Sequence, residues 1–145
     1  MAKIPKALQG HINTAFPNNP CLVGTVLPGG WAQITPRGSV MVFDDEHLAT
    51  WERGKGSTSD HLADGAKVTV YFRKPELRTD GTLPKGGIAR FYGTATIHKS
   101  GPAYEAVWEK LIAPEKERDP QKAGYAVIVA IERAEDLDGT ALALD

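Results

Sequence analysis

Hydrophobic and polar positions alternate along most of this chain, and the stretches where they stop alternating separate the strands they predict. Cys21-Leu22-Val23-Gly24-Thr25-Val26-Leu27 is an apolar run that meets a Pro28-Gly29-Gly30 turn. Trp31-Ala32-Gln33-Ile34-Thr35-Pro36 and Ser39-Val40-Met41-Val42-Phe43 follow, divided by the reversal Arg37-Gly38. They read as three consecutive antiparallel strands, with glycines at the hairpin turns. Val68, Val70 and Phe72 then alternate with Thr69, Tyr71 and Arg73. From Ile88 to Ile97, Arg90, Tyr92, Thr94 and Thr96 take one face, and Phe91, Gly93, Ala95 and Ile97 the other. A last strand, Gly124 to Arg133, alternates Tyr125, Val127, Val129 and Ile131. Six strands in this order predict a mainly β fold, a small antiparallel barrel.

Short helices fill the gaps. Ile4, Leu8 and Ile12 recur at a spacing of four, which predicts a helix from Ile4 to Ala15. Between Asp44 and Gly65 the β pattern lapses. Asp44 or Asp45 is placed to cap a short helix through His47, Leu48 and Trp51, and Ser57-x-x-Asp60 resembles a capping box opening a second. The amides of such a helix start can hold an anion such as a phosphate. Residues 75–87, with two prolines and three glycines, read as a long functional or flexible loop. The clearest helix follows: Ser100 as cap, Pro102 in the first turn, and Tyr104, Val107, Trp108, Leu111 and Ile112 on one face. Pro114 and the charged run Glu115 to Asp119 end it.

Composition narrows the function classes. At 145 residues the chain reads as a single domain, residues 1–145, with 41% apolar and 24% charged residues, both ordinary for a soluble protein. A formal net charge of -1 argues against a nucleic-acid binder that depends on bulk phosphate attraction. No apolar run approaches a membrane span, and Met1-Ala2-Lys3-Ile4-Pro5 shows no signal-peptide core, so a cytoplasmic setting is expected. The lone Cys21 excludes an intrachain disulfide and reads as an inert core thiol. His11, His47, His61 and His98 are scattered without metal-ligand spacing, so no metal site is expected. No nucleophile elbow, Walker loop or dinucleotide fingerprint is present. Asp44-Asp45-Glu46 reads as surface acids at a helix start.

Three blocks carry a resemblance. Gly30-Trp31-Ala32-Gln33-Ile34-Thr35-Pro36 resembles the second-strand signature of the pyridoxamine 5'-phosphate oxidase-like split barrels. Gly56 to Leu62 falls where that family carries Ser-Arg-Lys and then Asn-Leu, and Arg90-Phe91-Tyr92-Gly93-Thr94-Ala95 is similar to its Arg-x-x-Gly-x-Ala strand. The resemblance implies a six-stranded antiparallel split β-barrel that binds FMN as a homodimer, the flavin lying in the groove between two barrels. It sets Gln33, Ile34 and Thr35 along the isoalloxazine edge, Gly56, Ser57 and Thr58 in the phosphate cradle, and Arg90 facing the groove. Ser57 and Thr58 replace the usual Arg and Lys, which leaves Arg37, Arg53 or Lys55 to supply positive charge. The family's substrate-binding C-terminal segment has no counterpart in Ala141-Leu142-Ala143-Leu144-Asp145, so vitamin B6 oxidation is not implied.

Two classes of function follow from the resemblance: a small flavin-dependent oxidoreductase with a small-molecule substrate, or a non-catalytic module holding flavin, deazaflavin or haem. For haem, His61 or His98 is the available axial ligand. No catalytic residue is assigned. Trp31 either stacks on the flavin or plugs a barrel end, and Trp108 reads as core or dimer interface. Arg90 either forms a salt bridge within the fold or meets an anionic ligand.

Overall fold

Burial follows the alternation on β1, β5 and β6. The computed structural model describes residues 2–54 and 61–143. Its elements are α1 (Lys6–Asn13), β1 (Cys21–Val26), β2 (Ala32–Arg37), β3 (Met41–Asp44), β4 (His47–Glu52) and β5 (Lys67–Arg73), then α2 (Glu76–Thr79), β6 (Ile88–His98), α3 (Pro102–Lys110), α4 (Ala113–Glu117) and β7 (Tyr125–Glu135). On β1, Cys21, Val23 and Thr25 are buried, and on β5 Val68, Val70 and Phe72 are. The intervening residues face outward.

The seven strands form one sheet in the order β2-β1-β5-β6-β7-β4-β3, every neighbouring pair antiparallel. Its two edge strands, β2 and β3, are joined by only Gly38, Ser39 and Val40. Such a link reaches at most about 14 Å, whereas seven flat strands would set the edges about 29 Å apart. The sheet must therefore curl into a barrel, split between β2 and β3. Side chains bridge the split. The Arg37 guanidinium donates to Glu52 from Nε at 3.0 Å and from Nη2 at 3.3 Å. Ser39 Oγ accepts from Trp51 N and donates to Trp51 O, at 3.1 and 3.2 Å. Pro36, which has no N–H, sits on an edge strand, where that loss costs no ladder bond.

Two apolar cores sit on the two faces of β7. Val127, Val129 and Ile131 point into the barrel with Phe72, Phe91, Leu8 and Ile12. Ala126 and Ile128 pack outward with Trp51, Val107 and Leu111 beneath α3. Tyr125 is packed against the barrel core, as its parity predicts.

Five expectations need correction. Residues 44–51 form no helix: β3 and β4 make a hairpin, and Asp44 accepts from Glu46 N at 2.9 Å inside its turn. This adds a seventh strand to the six expected. The third predicted strand pairs with β4, not with β2. Ser100 makes no cap; Gly101, at φ 93, occupies that position ahead of Pro102. The charged run 115–119 is not a bare helix stop, because it overlaps α4 and buries Glu115 and Asp119. The stretch 75–87 is also more ordered than a loop, since it holds α2 and buries Leu77 and Leu83. The helix predicted to open at Ser57 starts outside the described residues.

Candidate functional site

The outward faces of β2, β1, β5 and β6 form a groove of about 760 Å³. Its walls are Leu22, Val26, Ala32, Ile34, Tyr71 and Tyr92. The alternation explains this surface: each strand that sends an apolar residue inward presents the next residue here. Gly24 leaves the floor open. A Cβ built at Gly24 would meet only Thr69, at 3.7 Å, an ordinary contact. At one end stand the most exposed large apolar residues among those described, Trp31 at 78%, Ile34 at 66% and Val26 at 57%.

The charged rim is engaged internally. Lys67 Nζ donates to Thr94 Oγ1 at 3.0 Å and to Glu132 Oε2 at 3.4 Å. Glu132 reaches the rim because the β6–β7 register slips there: Tyr92 pairs with Arg133 and Gly93 with Ile131, leaving Glu132 as the extra residue. Arg90 Nη1 lies 3.2 Å from Glu135 Oε2, Asp136 O and Leu137 O. Buried Glu135 also accepts from Tyr92 Oη at 3.1 Å and Arg133 Nε at 2.8 Å. Burial pushes the Tyr92 phenol up, and the hydrogen bond to Glu135 adds to the rise.

Solved structures share this architecture. HupZ from Group A Streptococcus superposes with a TM-score of 0.68 at 27% identity, over 97% of this chain and 98% of that one. A proposed pyridoxamine 5'-phosphate oxidase from Lactobacillus delbrueckii gives a TM-score of 0.63 at 24% identity, over 91% and 93% of the two chains. An F420 reductase gives 0.60 at 15% identity, over 91% and 98%. The chain has the pyridoxamine 5'-phosphate oxidase-like fold. No protein-family model and no curated protein matches its sequence.

In this split barrel the predicted site residues are divided by the two faces of β2. Ile34 and Arg90 line the outer groove. Gln33 and Thr35 have the opposite parity, opposite Thr25 and Val23 of β1. On that face Thr25 Oγ1 lies 3.0 Å from His61 Nε2. Arg53 is exposed at the end of β4, and its charge acts on Asp119. Lys55, Gly56, Ser57 and Thr58 lie outside the described residues. Arg37 is committed to Glu52 across the split.

Three single residues can be placed. Arg90 forms the salt bridge within the fold. Trp31 plugs no barrel end. Trp108 packs on Trp51 with ring centroids 4.9 Å apart, as part of the core beneath α3. Cys21 is buried, and burial pushes its thiol up to about 12, which makes it inert as a nucleophile. Among the described residues no group of three His, Cys, Asp or Glu is arranged to hold a metal ion, and no helix is long and apolar enough to cross a membrane.

Sequence reasoning missed Tyr71, Lys67 and Glu132 as parts of this surface, and Glu135 as the buried partner of Arg90. Strand parity alone could have found Tyr71 and Lys67, which share the outward face of β5. Because Arg90 is a clamp, Arg90→Ala should cost about 1–2 kcal/mol of stability by freeing two carbonyls and part of Glu135. Denaturant midpoints of the two proteins test this. An unchanged midpoint would return Arg90 to the ligand-binding set.

Proposed function

We propose that the chain binds a flavin-type cofactor, FMN, as a homodimer and works as a small flavin-dependent oxidoreductase. The observation that carries this reading is the outer groove, an apolar surface with an open glycine floor, beside Trp31, Ile34 and Val26, which their own chain leaves uncovered. Burying side chains of this kind contributes about 1.5–3 kcal/mol each, so a second copy laid over them gains a substantial part of a dimer's stability. The shared fold with oxidase-like and F420-reducing proteins supports a flavin-type ligand.

The chain's residues fit a flat ring better than they fit its phosphate. Gln33, Ile34 and Thr35 follow a double-glycine turn on an edge strand, where backbone approaches a ring without obstruction. Arg37 and Arg90 are taken, so the phosphate would fall to Arg53 and Lys55 with the amides of Gly56, Ser57 and Thr58. Bound there, a flavin supplies two-electron chemistry. The protein positions the ring along β2, and the partner excludes water from the groove.

One observation favours a second reading, a non-catalytic module holding flavin, deazaflavin or haem. The charged groups of the groove are all paired, which leaves no described residue there poised for acid–base work. Purification should give a yellow protein whose light-scattering mass is twice 15.6 kDa. Trp31→Asp combined with Ile34→Asp should give monomers and weaken flavin binding at least tenfold. A monomer that binds flavin tightly would remove the shared-groove model. A yellow dimer that accepts electrons from neither NADH nor NADPH would favour the module.

A further inference from the structure

We propose that two copies of this chain join at the free edges of β2, antiparallel, with Gln33 of one copy opposite the partner's Gln33. This rests on the homodimer named above and assigns the strand at which its halves meet.

The first observation is which backbone groups point outward. Leu27 N donates to Trp31 O at 2.8 Å, and the β1–β2 register runs on unbroken from Val26↔Ala32. Hydrogen-bonded and open pairs alternate along such a ladder. Gln33, Thr35 and Arg37 therefore direct their backbone groups to β1, while Ala32, Ile34 and Pro36 turn theirs to the free edge. Pro36 has no N–H, and its carbonyl accepts from Arg37 Nη1 at 3.4 Å. Among the described residues nothing pairs with the outward N–H and C=O of Ala32 and Ile34. Each copy thus offers two donors and two acceptors in a row.

The second observation is that this edge is unguarded. Edge strands are blunted by charges, prolines or bulges that prevent pairing. Residues 31–35 hold none of these, and Trp31, Ala32 and Ile34 are exposed. Arg37 and Ser39 hold only the far end of β2 and the link beyond it to β4. The opposite edge of the sheet differs: on β3, Val42 N donates to Asn13 Oδ1 at 2.8 Å. With one open edge, pairing stops at two copies; with two, it would run on into a fibre.

One register uses every free group. With Gln33 opposite the partner's Gln33, Ala32 N donates to the partner's Ile34 O, and the partner's Ile34 N donates to Ala32 O. The two-fold axis repeats both bonds. A shift of two residues one way sets Ala32 against the partner's Pro36, which has no N–H. The other way sets Ile34 against the partner's Gly30, whose N–H is held within its own turn by Leu27 O. The same register also covers exposed apolar residues on both faces. Ile34 meets the partner's Ala32, and Trp31, of opposite parity, meets the partner's Thr35. Because the axis stands normal to the sheet, both outer grooves open on the same side, with Ile34 of each copy at the junction.

Cysteine cross-linking of the full chain reads this register. Open pairs of an antiparallel ladder stand about 4.5 Å apart at Cα, within disulfide reach. Gln33→Cys treated with copper phenanthroline should give a covalent dimer. Thr35→Cys, roughly 14 Å from its own counterpart, should not, and buried Cys21 adds no background. In a second arm, Ala32→Pro removes an N–H that β1 does not use, so circular dichroism should stay native. Its dimer dissociation constant in sedimentation should rise about thirtyfold or more. Ile34→Lys, which charges the edge, should do the same and replaces Ala32→Pro if that variant fails to fold. Three results would overturn the proposal: Gln33→Cys that never cross-links, equal cross-linking at positions 33 and 35, or a folded edge variant that dimerises as tightly as wild type. Each leaves the homodimer standing with its halves meeting elsewhere. A wild type that sediments at 15.6 kDa removes both.

Discussion

Replacing Asp119 by alanine should destabilise the protein by about 3–5 kcal/mol, roughly 10–15 °C in melting temperature. Asp119 is 7% exposed, and its Oδ2 accepts from Trp51 Nε1 and from Gly124 N, each at 2.8 Å. Its Oδ1 accepts from Ala123 N at 2.9 Å. Removing the carboxylate leaves three donors without partners, two of them buried, each of those costing about 1–3 kcal/mol. The damage would spread along the split, because Trp51 is also the residue whose backbone Ser39 grips. Asp119→Asn keeps one acceptor but turns an NH2 toward a donor, so it should lose about half as much. Thermal melts of the three proteins check this, and equal melting of wild type and Asp119→Ala would show that the carboxylate bridges nothing.

The same group sets an acid limit. Burial pushes the Asp119 carboxyl up, but the Trp51 hydrogen bond and the two amides outweigh it, with help from the charge of Arg53. The carboxyl is therefore held below its ordinary value of 3.8. A group depressed by folding stabilises the native state above its unfolded titration and loses that contribution as pH falls through the folded value. Wild type should thus lose stability from about pH 4 downward. Asp119→Asn should lose less over that window.

Most of the fold was legible because most strands have one wet and one dry face. β1, β5 and β6 alternate in the sequence and alternate in burial. β4 was not legible, and the reason is physical. Leu48, Ala49, Thr50, Trp51 and Glu52 are all buried, since one face meets the barrel interior and the other lies beneath α3. A strand covered on both sides loses its period, and its polar members, Thr50 and Glu52, are buried together beside Arg37. Glu115 and Asp119 misled in the same way, as buried acids inside a charged run.

The candidate site was half legible. Ile34 and Arg90 line the outer groove of a single chain, whereas the groove that the resemblance implies lies between two barrels. The role of Arg90 was undecidable from its own strand, because the partner that claims it, Glu135, lies 45 residues away and beyond the predicted end of the last strand. Gln33 and Thr35 differ from Ile34 by one step of parity. That single step turns them to the opposite face.

Gly93→Ala should cost about 3 kcal/mol or more, whereas Gly24→Ala should be neutral or slightly stabilising. The two substitutions add the same methyl group to neighbouring parts of one sheet. At Gly93 the new Cβ would sit 2.3 Å from Ala130 O and 2.7 Å from Val129 Cγ1, and the first of these is backbone that cannot rotate away. β6 and β7 share the longest pairing in the sheet, so relief means parting them at the slip that carries Glu132 to the groove rim. Lys67 and Thr94 would then lose their common partner. At Gly24 the methyl meets only an ordinary 3.7 Å contact, on backbone that an alanine adopts freely. There it also narrows the unfolded ensemble, a gain of about 0.4–1 kcal/mol. Urea midpoints of the two variants decide the matter. If Gly24→Ala lost as much stability as Gly93→Ala, packing would require both glycines, and the open floor of the groove would need no ligand to account for it.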